Sequence, residues 1–270
     1  MDKNNLTRIA TEVRKNAVTA VHSAKSGHPG GSLSIADVLT YLYFERMNID
    51  PKNPKWDDRD RLVLSKGHTT PAYYSVLAER GFFPKEDLVT FRKADSYLQG
   101  HPDMKKIPGV DMSTGSLGQG ISTACGMALS AKLRNKSYRV YAIVGDGESQ
   151  EGQVWEAAMF AAHYKLNNLC IFLDSNGLQI DGPVTEVMNP RPFDEKFRAF
   201  GWNVICIDGH SFDEIAAACD NALLSDKPTA VICTTVKGKG VSFMENNVSW
   251  HGSAPNDEQY AIAMADLVKE

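Results

Sequence analysis

No apolar run in this sequence approaches the roughly 20 residues needed to cross a bilayer. The start, MDKNNLTRIATEVRKNAV, is charged, reads as a helix and lacks the apolar core of a signal peptide. No GxGxxG follows an apolar run with an acid about 20 residues further on, and no GxxxxGK[ST] occurs, which argues against nucleotide-binding modules. Repeats, low-complexity tracts and Pro/Ser-rich linkers are also missing. The five cysteines, Cys125, Cys170, Cys206, Cys219 and Cys233, form an odd set without a CxxC pair. Three lie in apolar runs, so buried thiols in a reducing compartment are expected. A net charge of −4 gives no basic surface for nucleic acid or anionic membrane. These absences leave a soluble, cytoplasmic protein as the expectation.

What is present is a chain of 270 residues, 43% hydrophobic, enough for one large α/β domain or two small ones. Helical spacing covers 3–24 and 34–47, with Gly27, Pro29, Gly30 and Gly31 breaking the chain between them. A short run, Leu62-Val63-Leu64, reads as a buried strand, followed by helices near 70–80 and 85–93. Residues 95–117 read as a structured loop, and Gly118 opens a helix to about Asn135. Strands Tyr138–Val144, Asn168–Leu173, Asn203–Ile207 and Thr229–Val236 then alternate with helices at Gln153–Tyr164, 194–200 and Asp213–Leu224. The tail is irregular until a helix near 257–268. The strands are continuous apolar runs, as when helices cover both faces of a parallel sheet. The expected fold is one doubly wound α/β domain, mostly parallel, over residues 1–270.

Ligands of an open parallel sheet bind beyond the carboxyl ends of its strands. The segments there are Ser65-Lys66-Gly67-His68, Gly145 to Gly152, Asp174-Ser175-Asn176-Gly177-Leu178 and Lys237-Gly238-Lys239-Gly240. Glycine, hard oxygen ligands and lysine together suit a metal-bound phosphate ester. Asp146 alone would pass for an ordinary turn residue. Asn176, however, follows the next strand of the same βαβ unit, which sets the two side by side as oxygen ligands for Mg²⁺. Histidines point to the same edge. His28, His68, His101, His210 and His251 adjoin glycine in predicted loops, and two Gly-His-Pro turns fix the rings of His28 and His101. His210 reads as a helix-capping residue, and Glu151 and Glu156 as solvated helix carboxylates.

Gly145-Asp146-Gly147 with Asn176 resembles the thiamine-diphosphate fingerprint. The segment EGQVWEAAMFAAHYKLNNLCIFLDSNGLQIDG resembles transketolases, as do KSGHPGGSLS, SKGH, GHPD, STGSLGQG and KGKGVSFMENNVSWHG. The resemblance covers nearly the whole chain and implies the thiamine-diphosphate fold of the family's diphosphate-binding domain. It assigns Mg²⁺ to Asp146, Asn176 and the Leu178 carbonyl. It assigns the cofactor to Gly147, Gly115, Ser116, Leu117, Ile180, His68, Lys237 and His251, with Lys66 adding charge. His28, His68, His101 and His251 match the cluster around the thiazolium and the sugar hydroxyls, with His28, His101 and His251 as its catalytic members. Glu151 and Glu156 match acids of a carboxylate network facing a neighbouring subunit. The family's activating glutamate and phosphate-gripping arginines lie in a pyrimidine-binding domain that this sequence does not match. The implication is one subunit of a split transketolase, with thiamine diphosphate and Mg²⁺ as cofactors and sugar phosphates as substrates. Its partner would be a C-terminal subunit, most simply in an α2β2 assembly. The alternatives are subunits of other thiamine enzymes, deoxyxylulose phosphate synthase-like or keto acid dehydrogenase-like. A rival of another class is a non-catalytic paralogue that only binds a partner.

Overall fold

Side chains alternate between the two faces of a strand, so a continuous apolar run must be covered twice. The computed structural model, which describes residues 1–269, meets that demand with helices on both faces of one sheet. In chain order the helices are α1 (Lys3–Ala24), α2 (Pro29–Leu33), α3 (Ala36–Tyr41), α4 (Thr70–Arg80), α5 (Gln119–Leu133), α6 (Gly152–His163), α7 (Val184–Val187), α8 (Phe193–Ala199), α9 (Phe212–Leu224) and α10 (Asp257–Lys269). The strands are β1 (Arg61–Leu64), β2 (Val140–Gly145), β3 (Leu169–Ser175), β4 (Leu178–Gln179), β5 (Gly182–Pro183), β6 (Asn203–Asp208) and β7 (Thr229–Thr234). The main sheet is parallel throughout, in the order β1-β2-β3-β7-β6, while β4 and β5 form a small antiparallel hairpin.

Leu62, Leu64, Tyr141, Ile143, Cys170 and Phe172 point into one apolar layer with α1, α3, α4 and α9. Their neighbours Val63, Ala142, Val144, Ile171 and Leu173 point into the other, with α5, α6 and α8. Leu33 of α2 and Ala263 and Leu267 of α10 build a smaller cluster around Trp250 and Met244, which docks the tail. Helix ends follow local chemistry. The Asp2 carboxylate accepts from Asn5 N–H at 3.2 Å to start α1, and Ser211 caps α9.

Several elements differ from the sequence expectation. Pro29 opens a helix instead of only breaking one, because proline suits the first helical position. The helix expected over 34–47 is α3 followed by a π turn, Leu42–Arg46. Residues Lys85–Thr90 are a 3₁₀ turn, not an α-helix to 93. The last strand stops at Thr234, short of the expected Val236, whose N–H donates to His210 Nε2 and not to a strand carbonyl. The β4–β5 hairpin and α7 had no periodic signal. Four cysteines are buried as expected, but Cys206 is exposed because β6 is an edge strand covered less fully than the rest. No helix among the described residues is long and apolar enough to cross a membrane.

Candidate active site

Parallel pairing brings the ends of β1, β2, β3 and β7 to one edge of the sheet. A cleft of about 440 Å³ opens there, lined from all four strand exits and from the Gly27–Gly31 and Gly100–Leu117 loops.

The floor of the cleft is a set of oxygens. Gly145 of β2 pairs with Asp174 of β3, which places Asp146 beside the turn at Asn176. Asp146 is 3% exposed, and its carboxylate accepts from Gly147 N–H at 2.8 Å and Gly177 N–H at 2.6 Å. Burial and the neighbouring Asp174 charge push its pKa up to about 6. It has no ion-pair partner among the described residues. Asn176 donates from Nδ2 to Asp174 at 2.8 Å, and its Oδ1 accepts from Leu178 N–H at 3.1 Å. The amide orientation follows from those partners, since Asp174 can only accept and a backbone N–H can only donate. The Leu178 carbonyl accepts from Lys237 Nζ at 3.2 Å. An unpaired buried carboxylate beside an oriented amide oxygen and a carbonyl fits a hard cation such as Mg²⁺, with phosphate oxygens completing the shell. No group of three or more His, Cys, Asp or Glu with metal-holding geometry occurs among the described residues.

Behind this floor lie two buried carboxylates that sequence reasoning left without a role. Asp174 accepts from Ser34 at 2.8 Å, Lys66 Nζ at 2.5 Å, Asn176 and Thr235. Burial alone would raise its pKa, but Lys66 and these donors hold it below the usual range. Lys66, expected only to add charge, is thus the partner that keeps Asp174 ionised and Asn176 aimed. Glu148 accepts from Ser65 at 2.6 Å and from Gly118 and Gly145 N–H, both at 2.9 Å. It ties the ends of β1 and β2 to the start of α5. Both carboxylates draw partners from far along the sequence, so no local pattern signals them.

The rim carries imidazoles. The rings of His28, His68 and His251 lie 5.0–5.5 Å apart, centroid to centroid. Lys237 Nζ lies 2.8 Å from His251 Nδ1; an ammonium can only donate, so Nε2 carries the His251 proton. Burial, then Arg92, lowers the His28 pKa to about 4. Burial, then Lys237, lowers that of His251 to about 3. Burial and Lys66 hold His68 well below its ordinary value. Burial, then Lys66, lowers Lys237 itself to about 8. At neutral pH the cluster is therefore uncharged imidazole beside lysine. His101 also lines the cleft and is exposed, its ring 2.9 Å from where a Gly115 Cβ would stand, and Gly115 has φ +149°. Only glycine fits there. Arg92, also unforeseen, donates to Ser26 at 2.8 Å and faces His28 Nδ1 at 3.5 Å, with its Nε buried and unpartnered.

The remaining expected residues are placed unevenly. Gly115, Leu117, Gly147, Ile180 and Glu151 line the cleft. Ser116 is exposed beside it, and Ile180 is 61% exposed. Glu151 and Glu156 are exposed and without side-chain partners among the described residues, and Glu156 borders a separate groove between α5 and α6. His210 does precede α9, as a capping residue would, but Ser211 supplies the cap and the His210 ring is engaged elsewhere.

Comparison with known proteins accounts for this arrangement. A family profile described as the transketolase thiamine-diphosphate-binding domain matches residues 6–267. The chain is 48% identical to the 6-deoxy-6-sulfo-D-fructose transketolase subunit SqwG of Clostridium sp. (strain MSTE9), covering 97% of this chain and 95% of that protein. It is 42% identical to one of the subunits of apulose-4-phosphate transketolase from Phocaeicola vulgatus, covering 94% and 90%. Against the human transketolase it is 43% identical over 90% of this chain, but spans only 39% of the other. A crystal structure of transketolase from Campylobacter jejuni superposes with a TM-score of 0.94 at 35% identity, covering 99% of this chain and 43% of that one. The similarity favours transketolase over the other thiamine enzymes considered. The chain belongs to the transketolase family, as its thiamine-diphosphate-binding domain.

Proposed function

We propose that this chain is the metal- and diphosphate-holding subunit of a two-chain transketolase. It would move a two-carbon ketol unit from a ketose to an aldose, together with a C-terminal subunit carrying the pyrimidine-binding domain. The observation that carries the reading is the joint placement of Asp146, Asn176 and the Leu178 carbonyl below the imidazole rim. The two relatives named as subunits are named for sugars bearing sulfonate or phosphate, so anion-tailed sugars are the proposed substrates.

Thiamine diphosphate, when bound, supplies the carbon–carbon chemistry. Asp146, Asn176 and the Leu178 carbonyl would hold Mg²⁺. Gly147 and the Gly115-Ser116-Leu117 turn would border the diphosphate and aminopyrimidine, with Ile180 against the thiazolium. Lys237 and His68, which line the cleft, would face the diphosphate, where cationic and N–H donors stabilise anionic oxygens. His28, His101 and His251 would donate hydrogen bonds to substrate oxygens and move hydroxyl protons, which neutral rings can do in either direction. Glu151 and Glu156, exposed and unpartnered among the described residues, would face the second chain. An α2β2 particle in a reducing cytoplasm suits a shared site and five free thiols. The test is two-carbon transfer assayed with this chain alone and after mixing with the partner. Activity only in the mixture is expected, and robust activity of the single chain would overturn the half-enzyme reading.

A further inference from the structure

Lys237 reaches the cleft from a backbone segment that has left the sheet. Gly238 N–H donates to the Gly30 carbonyl at 2.9 Å and Asn246 N–H to the Lys237 carbonyl at 2.9 Å, which pins the segment beyond the lysine. On the strand side the donor is Val236 N–H, and its acceptor is not a backbone carbonyl but His210 Nε2, at 2.9 Å. A backbone N–H can only donate, so Nε2 bears no proton and Nδ1 does. His210 Nδ1 then donates to Asp37 Oδ2 at 2.7 Å. Asp37 is buried at 5% exposure and gripped bidentately by Arg14, at 3.1 and 2.5 Å. Burial opposes its charge, but Arg14 and the His210 hydrogen bond hold its carboxyl below the usual range. Arg14 on α1, Asp37 on α3, His210 before α9 and Val236 after β7 thus form one chain of oriented contacts ending one residue from Lys237.

We propose that His210 is a positioning residue: held by Asp37 and Arg14, it fixes the exit of β7 and so sets where Lys237 stands in the cleft. It touches neither cofactor nor substrate. The inference rests on Lys237 being a cofactor-side group, as proposed above. The two ring nitrogens have separate duties, so two variants separate them. His210→Asn keeps a donor near Nδ1 for Asp37 and loses the acceptor for Val236. His210→Gln extends an oxygen to the Nε2 position for Val236 and gives up the Asp37 contact.

Hydrogen exchange over residues 235–240 in the free chain should stay slow in His210→Gln and quicken at least tenfold in His210→Asn. Melting temperature should rank the other way, since the buried Asp37 keeps its partner only in His210→Asn. Calorimetry with Mg²⁺ and thiamine diphosphate, run with the partner subunit present, should give a dissociation constant within about threefold of wild type for His210→Gln and at least tenfold weaker for His210→Asn. Exchange that is equal in both variants, or that follows melting temperature, would overturn the proposal and leave His210 a stability residue. If wild type binds no cofactor, the functional reading falls, while the exchange ranking still decides the role of His210.

Discussion

At the scale of single residues, the site trades stability for a place to bind. Asp146 is ionised at neutral pH although burial and Asp174 push its pKa up to about 6. A raised carboxyl adds nothing adverse while protonated, below its unfolded value of about 4. The cost builds as pH rises from about 4 to about 6 and is complete above that. Asp146→Asn should therefore stabilise the metal-free chain by roughly 1–2 kcal/mol at pH 8, after allowing for one imperfect contact to Gly147 or Gly177. At pH 4 the gain should vanish, and Mg²⁺-dependent cofactor binding should be lost at every pH. Denaturant melts in EDTA at both pH values check the first claim, and a variant less stable at pH 8 would contradict it. The histidines make a second case. His28, with its pKa near 4, stays neutral above pH 5, so turnover should show no limb near 6.5 from its titration. His28→Ala should lower turnover on the order of 10²-fold while leaving cofactor affinity nearly unchanged. A variant with wild-type kcat would return His28 to a structural role. Asp146 and Asn176 were legible in the sequence because flanking glycines and the βαβ spacing carry their placement. Asp174 was visible only as part of a segment. Its partners Ser34, Lys66 and Thr235 are 140, 108 and 61 residues away, and only the fold brings them together.

At the scale of elements, strand identity was easy to read and strand ends were not. The apolar runs at Leu62, Tyr141, Ile171 and Val231 fix which segments become strands, because burial on both faces leaves few alternatives. Their exits depend on side chains that capture backbone N–H groups, and Glu148 is the clearest instance. Three donors from β1, β2 and the start of α5 converge on its two oxygens. Glu148→Gln presents an NH₂ where an acceptor is required, leaving at least one buried donor unsatisfied at about 1–3 kcal/mol. The expected result is that loss in urea unfolding, together with faster exchange at Gly118 and Gly145. An unchanged midpoint would show that the three elements hold their register without it. The same logic explains why the π turn after α3 and the β4–β5 hairpin escaped the sequence reading. Neither has a repeating apolar period, and each owes its shape to what it packs against.

At the scale of the whole molecule, the cleft is finished on one side only. Its floor is buried and hydrogen-bonded, yet His101, Glu151 and Ile180 on the open side are exposed. The chain spans 39% of human transketolase, and on the function proposed here the surfaces that close the cleft are those of the second subunit. A ligand sandwiched between two chains links two equilibria. Whatever factor the partner adds to cofactor affinity, cofactor must add to partner affinity, because both describe one coupling free energy. For a shared site that factor should be at least about tenfold, or some 1.4 kcal/mol. Calorimetric titration of Mg²⁺ and thiamine diphosphate with and without the partner gives one value. Sedimentation of the two chains with and without cofactor gives the other. Equal factors, both lost in EDTA and both lost in Asp146→Ala, are the expected outcome. A partner that binds equally well with and without cofactor would mean that the site is not shared, and that the open wall of this cleft faces something else.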